Sequence, residues 1–500
     1  MLLPHPADRP TERTSDQFVT ARRWRRMGLA GAVLTAVAAT SVGDLPTTNE
    51  LGAWPTLIWP HPRAWPAVVL AYLGLTLVIG AWWQLGNVTR GLPQRLGFML
   101  RTSAMWAVPF AIAPPLYSRD IYSYLAQGAL YASGLDPYQV GPSALGGPLA
   151  SNVSTIWQDT PAPYGPLFLG IAALVTAFAG HHIVLAVLMM RVVMIGALAV
   201  TTACMIPLAR RVGVDPATAV WLGVLNPLTL AHVVSGAHND ALMVMLMIAG
   251  ILLAVRERPV AASVVLGLAV LVKLPAAVAL AVVVPAMSRR LRGRYPMARG
   301  GLAVAATAVL TVATVTVLMG TWYGWVSALS DTARIRNGLS ITTNVGIVIN
   351  ALAWFVGQGT GSVDVVGVAR EVGVATAAVL TLLVLARTRG RPVYALALIM
   401  FSVVLLGPVV HPWYLLWGIV PLAVSTRDPR VVTRVALLII GLVLYPMPWG
   451  EGFSPAAWWG LIGTATGLLV ISAVGNPQKP WDPVPPEPAT LVPPLHLQAR

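Results

Sequence analysis

The chain has 500 residues, of which 56% are hydrophobic and only 10% are charged, and its mean hydropathy is +0.72. A soluble protein carries about 25% charged residues, so this composition excludes a set of soluble domains and predicts a polytopic membrane protein. The net charge of +15 comes from arginines in short clusters between apolar runs. That pattern is typical of cytoplasmic membrane loops, so we expect a membrane as partner and no nucleic acid.

The two ends of the chain are predicted to lie in the cytoplasm. Residues 1–27 form a basic segment that ends in Arg22-Arg23-Trp24-Arg25-Arg26, and no convincing small-residue cleavage site of a signal peptide follows. Residues 476–500 are rich in proline and are predicted to be a disordered tail. The membrane domain therefore spans residues 28–475. Its single cysteine, Cys204, lies in an apolar run, which leaves no intrachain disulfide.

The positive-inside rule arranges the apolar runs into about 14 crossings, with roughly 12 to 16 as the range. Ala217–Val234 is predicted to cross as one span. Pro166–Gly180 and Ile341–Val356 are interpreted as interfacial or re-entrant, because their crossing would place later arginine clusters outside. We expect an all-α bundle whose outer loops, 117–165 and 321–342, carry short interfacial helices.

The densest polar motif follows the third apolar run, at Ser118-Arg119-Asp120-Ile121-Tyr122-Ser123-Tyr124. An arginine–aspartate pair is costly to place against lipid, so this motif indicates a reaction site at the water boundary. Asp120 is the candidate general base, since carboxylates commonly perform proton transfer. The alternative is a structural aspartate at a helix end that pairs with Arg119.

The same loop continues with Leu135-Asp136-Pro137-Tyr138 and Pro163-Tyr164-Gly165-Pro166. Asp136 is either a substrate ligand or the first residue of an Asx turn. The tyrosines of the loop either line a sugar site or form an interfacial aromatic belt. The tyrosines that are candidates for substrate binding are Tyr122, Tyr124, Tyr138 and Tyr164.

Two further motifs are predicted to reach the same outer face. His238-Asn239-Asp240 can hydrogen-bond substrate hydroxyls or the Asp120 loop, and a helix cap is the structural alternative. His411-Pro412-Trp413-Tyr414 combines a titratable ring, His411, with the stacking surface of Trp413. No matching ligand motif elsewhere supports a metal at the first of these clusters, so we predict neither a metal nor a cofactor.

Cations suited to a phosphate group occur at four positions. Lys273 is the only lysine before the tail and interrupts an apolar run near the outer face, where snorkelling is the alternative role. Arg334 and Arg336 in the second outer loop can join it around a phosphate. Arg191, about two turns into a span, is a candidate for a buried pair or a phosphate contact.

As a set, these motifs resemble the GT-C superfamily of lipid-phosphosugar-dependent glycosyltransferases. Within it they are similar to the polyprenol-phosphomannose-dependent α-1,6-mannosyltransferases that build the lipomannan core in mycobacteria and corynebacteria. The resemblance covers the membrane domain. The strings that carry it are Ser118–Tyr124, Leu135–Tyr138, Pro163–Leu167, Gly236–Asp240 and His411–Tyr414.

The resemblance implies a decaprenyl-phosphomannose donor, a lipid-anchored mannan acceptor and transfer at the periplasmic face of the plasma membrane. Asp120 would take the proton of the acceptor 6-hydroxyl. A β-linked donor and an α-linked product imply one inverting displacement. Substrate would contact Arg119, Asp136, Asn239, Asp240 and the other polar residues of the motifs. From charge and placement, Lys273, Arg334, Arg336 and Arg191 would hold the donor phosphate.

Three other functions are compatible with the sequence. The first is an enzyme of the same architecture with another polyprenyl-phosphosugar donor, such as arabinose. The second is a transporter or flippase of lipid-linked substrates, which predicts ionisable residues near the bilayer midplane and internal repeats. The third is a non-catalytic lipid-binding scaffold, which leaves the Asp120 cluster without a chemical role.

Overall fold

The computed structural model describes residues 10–47, 58–59, 61–92, 94–328, 338–357, 363–449 and 456–474. All regular secondary structure in these residues is helical, which confirms the predicted all-α class. The predicted tail, residues 476–500, lies outside the described residues. The basic N-terminal segment is continuous with the first apolar run, because one helix spans Pro10–Val42.

The helices of the first half are α1 (Pro10–Val42), α2 (Trp65–Val88), α3 (Arg95–Ile112), α4 (Asp120–Ala132), α5 (Pro166–Ala179), α6 (Ile183–Val212), α7 (Pro216–Gly223), α8 (Pro227–Ser235), α9 (Asp240–Val255) and α10 (Pro259–Val270). Those of the second half are α11 (Leu274–Ser288), α12 (Pro296–Leu318), α13 (Ile341–Phe355), α14 (Val365–Arg387), α15 (Pro392–Leu405), α16 (Pro412–Ala423), α17 (Pro429–Leu444) and α18 (Ala457–Val474). Between α4 and α5 lie three helices of one turn or little more, at Pro142–Leu145, Gly147–Ser151 and Thr155–Gln158.

Five of the described helices, α2, α6, α12, α14 and α18, are long and apolar enough to cross a membrane. The protein is therefore an all-helical membrane protein. Other apolar helices have only 10–17 residues, fewer than the roughly 20 that a straight span requires. The count of 14 crossings consequently stays a prediction. The same holds for the non-crossing roles of α5 and α13, although both helices fall in the short class.

The segment Ala217–Val234, which is predicted to cross, is not one continuous helix, and its crossing stays a prediction. The chain breaks between α7 and α8, whose axes differ by 47°. Pro227 has no backbone N–H to continue the helix, and the side chain of Asn226 accepts a hydrogen bond of 2.8 Å from Thr229 N. The break therefore comes from an Asn-Pro pair that ends one helix and caps the next.

Loops from distant parts of the sequence meet at one end of the helices. Asp44 N, after α1, donates to Pro115 O at 2.8 Å, and Tyr117 N donates to Pro448 O, after α17, at 2.6 Å. These bonds satisfy backbone groups that the ends of helices leave unpaired. They also fix α4, which begins three residues after Tyr117, against the ends of α1 and α17.

Close helix contacts support this arrangement. α4 and α5 lie against each other at Gly128, where an added Cβ would come within 2.4 Å of the backbone of Ala172. In α2 and α7 the rings of Trp82 and Trp221 stack with centroids 4.7 Å apart. Each indole N–H donates to the other residue's carbonyl, at 2.9 and 2.8 Å. This reciprocal pair satisfies two buried donors and joins the two helices.

We expect Trp221→Phe to lower the free energy of unfolding by about 1–3 kcal/mol. The substitution removes one of the two hydrogen bonds of the tryptophan pair and keeps the bond that the Trp82 indole N–H donates. Thermal unfolding in detergent measures the change. The control is Trp458→Phe, since Trp458 is exposed. Equal transition temperatures for the two variants would contradict a stabilising role for the tryptophan pair.

Candidate active site

A cleft of about 440 Å³ opens where the loops converge. Its walls come from the loops after α1 and α3, the start of α16 and the chain after α17. The ionisable residues that line it are Asp44, Arg63, Arg119, Asp120, His232 and His411, and the aromatic ones include Tyr117, Trp157, Trp413 and Trp449. Its volume is in the range of small-ligand sites, and its lining offers both charge and stacking surface.

Asp120 is the first residue of α4 and presents its carboxylate to this cleft. Its backbone N–H donates to Ser118 Oγ at 3.0 Å, which fixes the start of the helix. Its Oδ2 lies 3.5 Å from Nδ1 of His238, and its side chain is 20% exposed. Burial raises the pKa of the Asp120 carboxyl to about 6, although Ser118 and Lys273 act in the opposite direction. The group is therefore a stronger base than an ordinary aspartate and is still ionised at neutral pH.

Arg119 does not pair with Asp120, so that part of the structural alternative is wrong, although Asp120 does lie at a helix end. The Arg119 guanidinium donates through Nε and Nη2 to Asn152 O, at 3.0 and 2.9 Å. Its Nη1 lies 3.5 Å from Oδ1 of Asp44. The two neighbours diverge because Arg119 precedes α4 while Asp120 is its first helical residue. Each therefore faces a different set of partners.

Asp44 was missed from the sequence, although it directly follows the first apolar run. Its side chain is buried, and burial raises its pKa to about 7 in spite of Arg119 and Arg63. An isolated carboxylate without a surrounding motif carries little signal. The available clue was its position at a predicted outer helix end.

His238 and His411 both stack on Trp413. The ring centroids are 3.8 Å apart for His238 and 4.4 Å apart for His411, with interplanar angles of 15° and 9°. Burial lowers the pKa of His411 to about 3 and holds the pKa of His238 well below its usual range. Both rings are consequently neutral at physiological pH. The structure thus brings these three predicted residues together beside Asp120.

Several buried polar atoms near this stack have no hydrogen-bond partner among the described residues. They are both ring nitrogens of His232, Nε2 of His238 and both amide atoms of Asn239. Tyr124 contributes a hydroxyl 3.3 Å from Nδ1 of His238. Because buried polar groups normally have partners, these atoms indicate positions for water or for substrate hydroxyls. His232, which sequence reasoning missed, lies in α8, the helix that precedes the predicted motif His238-Asn239-Asp240.

Asp240 and Lys273 form a buried ion pair with each other. The ammonium of Lys273 lies 3.0 and 3.2 Å from the two carboxylate oxygens, and Trp417 Nε1 donates to Oδ1 at 2.6 Å. The ammonium also lies 4.3 Å from the centroid of the Tyr414 ring. Lys273 is not among the residues that line the cleft. Because it pairs with Asp240 away from the cleft lining, its predicted phosphate role stays a prediction.

Arg191 has a structural role, and its predicted phosphate contact stays a prediction. It is buried, and it donates through Nε and Nη2 to Ser235 O at 3.0 and 2.7 Å. Its Nη1 donates to Ala111 O at 2.8 Å. The guanidinium thereby joins α6 to the ends of α8 and α3. Arg334 and Arg336 lie outside the described residues.

The remaining residues of the long loop hold it in place. Asp136 Oδ1 accepts a hydrogen bond from Tyr138 N at 2.9 Å. Of the two predicted roles of Asp136, substrate ligand and Asx-turn residue, this bond corresponds to the Asx turn. Tyr138 donates its hydroxyl to Tyr164 O at 2.9 Å. The Tyr164 ring meets Tyr124 edge-on, with centroids 5.2 Å apart. Through Tyr124, whose hydroxyl lies 3.3 Å from Nδ1 of His238, this loop contacts the Asp120–His238 pair.

A second, apolar cavity of about 630 Å³ lies next to the cleft, between α1, α3 and α6. Tyr122 lines this cavity, and its hydroxyl donates at 2.6 Å to the carbonyl of Asp44, which lines the cleft. The guanidinium carbon of Arg119 lies over the Tyr122 ring, 4.9 Å from the ring centroid. Tyr122 and Arg119 thus lie on the boundary between an apolar and a polar chamber.

The described residues contain no group of three histidine, cysteine, aspartate or glutamate side chains that could hold a metal ion. The cleft offers carboxylates, arginines, imidazoles and aromatic rings. A carboxylate with a raised pKa, close to buried polar atoms that have no hydrogen-bond partner among the described residues, is suited to taking a proton from an alcohol.

Two family models match the sequence. The model described as alpha-(1->6)-mannopyranosyltransferase, N-terminal domain, matches residues 25–289, and the MptB C-terminal domain matches residues 342–475. These ranges contain all the ionisable residues that line the cleft.

Curated relatives align over most of the chain. A probable alpha-(1->6)-mannopyranosyltransferase of Mycolicibacterium smegmatis is 34% identical, with 95% of this chain and 92% of the relative aligned. Alpha-(1->6)-mannopyranosyltransferase A of Mycobacterium tuberculosis is also 34% identical, over 85% of this chain and 84% of the relative. For alpha-(1->6)-mannopyranosyltransferase B of Corynebacterium glutamicum the identity is 32%, over 94% and 84%.

We expect Lys273→Met to lower the free energy of unfolding by about 3–5 kcal/mol, because it leaves the Asp240 carboxylate buried without a counter-charge. Thermal unfolding without substrate measures the loss. The double variant Lys273→Met/Asp240→Asn should recover part of it. Arg101→Met, at an exposed cation outside the site, is the control. A stable single variant would show that Lys273 is not held by the pair.

Proposed function

This chain belongs to the alpha-(1->6)-mannopyranosyltransferase family, and we propose that its cleft transfers mannose from polyprenyl-phosphomannose to the 6-hydroxyl of a mannose on a lipid-anchored mannan. That the protein is a membrane glycosyltransferase follows from the family and from its apolar helices. The observation that carries the proposed mechanism is the environment of Asp120. Among the described residues, its carboxylate has no arginine or lysine within ion-pair distance, whereas Asp44 and Asp240 each have one.

Asp120 is the proposed general base. Its carboxylate takes the proton of the acceptor 6-hydroxyl as that oxygen attacks the anomeric carbon of the donor mannose. The bond between the anomeric carbon and the phosphate oxygen breaks, and its electron pair leaves with polyprenyl phosphate. Attack opposite to the leaving group inverts the anomeric configuration. The neutral His238 orients the carboxylate without adding a charge that would weaken it as a base.

Arg119 and Arg63 are the proposed partners of the donor phosphate. Both line the cleft that contains Asp120, unlike Lys273 and Arg191. The Arg119 guanidinium is held by Asn152 O, so it is pre-oriented before a ligand arrives. Cations fixed in advance stabilise charge that develops on a leaving phosphate, which needs little protonation. We therefore add these two arginines to the candidates predicted from charge and placement, of which Arg334 and Arg336 lie outside the described residues.

The apolar cavity between α1, α3 and α6 fits the polyprenyl chain of this donor. Its walls consist mainly of aliphatic side chains, and Tyr122 and Arg119 separate it from the cleft. A lipid in this cavity would place its phosphate at Arg119 and its sugar toward Asp120. Of the cleft aromatics, Trp157 and Trp449 offer surfaces for stacking the sugar rings, since His238 and His411 already stack on Trp413.

We place this site at the periplasmic face of the plasma membrane. The arginine clusters of the sequence support this orientation, because Arg210 and Arg211 end α6 and Arg387 ends α14, at the helix ends predicted to lie inside. A donor containing arabinose is the alternative within the same architecture. It is tested with the corresponding polyprenyl-phosphoarabinose in the assay below.

Asp120→Asn should reduce mannosyl transfer by about 10²–10⁴-fold, because the amide cannot accept the acceptor proton. The assay follows labelled mannose from polyprenyl-phosphomannose into an α-1,6-mannan acceptor in membranes. Asp136→Asn is the matched control, since asparagine also forms an Asx turn, and it should retain nearly full activity. Full transfer by a well-folded Asp120→Asn protein would exclude Asp120 as the base.

The pH dependence gives an independent readout. A base must be deprotonated, so the rate should fall about tenfold per pH unit below the Asp120 pKa of about 6 and level off above it. Asp44→Asn removes the other cleft carboxyl with a raised pKa, of about 7. If Asp120 is the base, the limb near pH 6 persists in Asp44→Asn. Its disappearance in that variant would instead assign the base to Asp44.

A further inference from the structure

Two cavities lie at the end of the helices that is remote from Asp120. Both are lined by Val255, Gly390 and Pro392. Val255 ends α9, whose first residue is Asp240, and sixteen residues of α-helix extend about 24 Å. Pro392 begins α15, whose other end leads to His411. The helices that deliver Asp240 and His411 to the cleft therefore reach these cavities at their opposite ends.

The first cavity has a volume of about 850 Å³ and is mainly apolar. Its walls come from α9, α11, α12, α14 and α15, through side chains such as Val282, Met297 and Leu385. Arg289 and Arg389 lie at its polar margin. The second cavity, of about 670 Å³, contains Arg211, Arg391 and Arg427 together with Tyr394. An apolar chamber and a basic one thus share a wall.

Positive charge is in excess in these walls. Five arginines face only two carboxylates, Glu257 and Asp428. Glu257 is paired with Arg289 at 2.7 Å, and the Asp428 carboxylate accepts from the backbone N–H of Arg430 at 2.8 Å. No described carboxylate lies within ion-pair distance of Arg211, Arg389 or Arg391. Within the described part of the chain, these three guanidinium groups therefore have no carboxylate partner.

Gly390 positions two of these arginines. Its φ of 80° is a left-handed conformation that favours glycine, and it forms the turn between α14 and α15. Arg389 precedes it and lines the apolar cavity, while Arg391 follows it and lines the basic one. The turn thus presents a cation to each chamber at their common wall.

We propose that this pair of cavities binds an anionic glycerophospholipid, with its phosphate at Arg389 and Arg391 and an acyl chain in the apolar chamber. Arginine binds phosphate oxygens through a planar fork of donors. The positive-inside rule accounts for arginines on this face, but not for an apolar cavity of this size beside them. A soluble anion would not use that chamber, and a zwitterionic lipid would leave the charge excess unmatched.

The test measures lipid binding to the full-length protein in detergent by native mass spectrometry. The probes are phosphatidylglycerol, phosphatidylcholine with the same acyl chains, and inorganic phosphate. Phosphatidylglycerol should bind the unmodified protein saturably and more tightly than phosphatidylcholine. Arg389→Gln/Arg391→Gln should weaken its binding about tenfold or more, because each arginine near a lipid phosphate contributes substantially to affinity.

The control is Arg101→Gln/Arg434→Gln, which removes two exposed arginines that line neither cavity and should leave the affinity unchanged. Equal loss in both double variants would reduce the effect to net charge and overturn the site. Equal binding of phosphatidylcholine would also overturn it. Inorganic phosphate that displaces phosphatidylglycerol at similar concentrations would show a free-anion site and overturn the lipid assignment.

Discussion

Arg119 and Lys273 each lie next to a buried carboxylate. These two ion pairs determine which carboxylate of the described site has no cation beside it. Arg119 faces Asp44 and Lys273 holds Asp240, while Asp120 has a neutral imidazole at 3.5 Å and no arginine or lysine of the described residues at ion-pair distance. Three carboxylates therefore lie at one end of the protein in different electrostatic environments. A carboxylate in an ion pair already has an oxygen engaged by a cation, whereas the carboxylate of Asp120 lines the cleft without an arginine or lysine at ion-pair distance among the described residues. This difference supports Asp120 as the proposed base.

The helices make that pairing possible because they begin and end at the site. Asp120 is the first residue of α4 and Asp240 the first of α9. Lys273 precedes α11 and His411 precedes α16. Short helices, prolines and the break between α7 and α8 bring backbone ends to one region. The polar residues there would be costly in the middle of a span, where lipid replaces water.

The convergence of motifs was predictable, because the distribution of arginines relates the ends of distant apolar runs to one side of the membrane. The directions in which the side chains point could not be predicted. Arg119 and Asp120 are neighbours in sequence, yet the start of α4 separates their partners. From the sequence, Lys273 is a candidate phosphate ligand, because the sequence does not reveal its ion pair with Asp240, which is remote along the chain. The α7–α8 break was in principle readable from Asn226-Pro227, but the apolar run around it favoured a continuous helix.

We propose that Asp120, rather than Asp44, faces the reacting hydroxyl. A cryo-electron microscopy structure with an inert phosphonate analogue of polyprenyl-phosphomannose and an α-1,6-mannan acceptor would show which carboxylate does so. We expect the acceptor 6-oxygen within about 3.2 Å of an Asp120 carboxylate oxygen, with the phosphonate at Arg119. An acceptor 6-oxygen that contacts Asp44, with Asp120 beyond the reach of one bridging water, would contradict it.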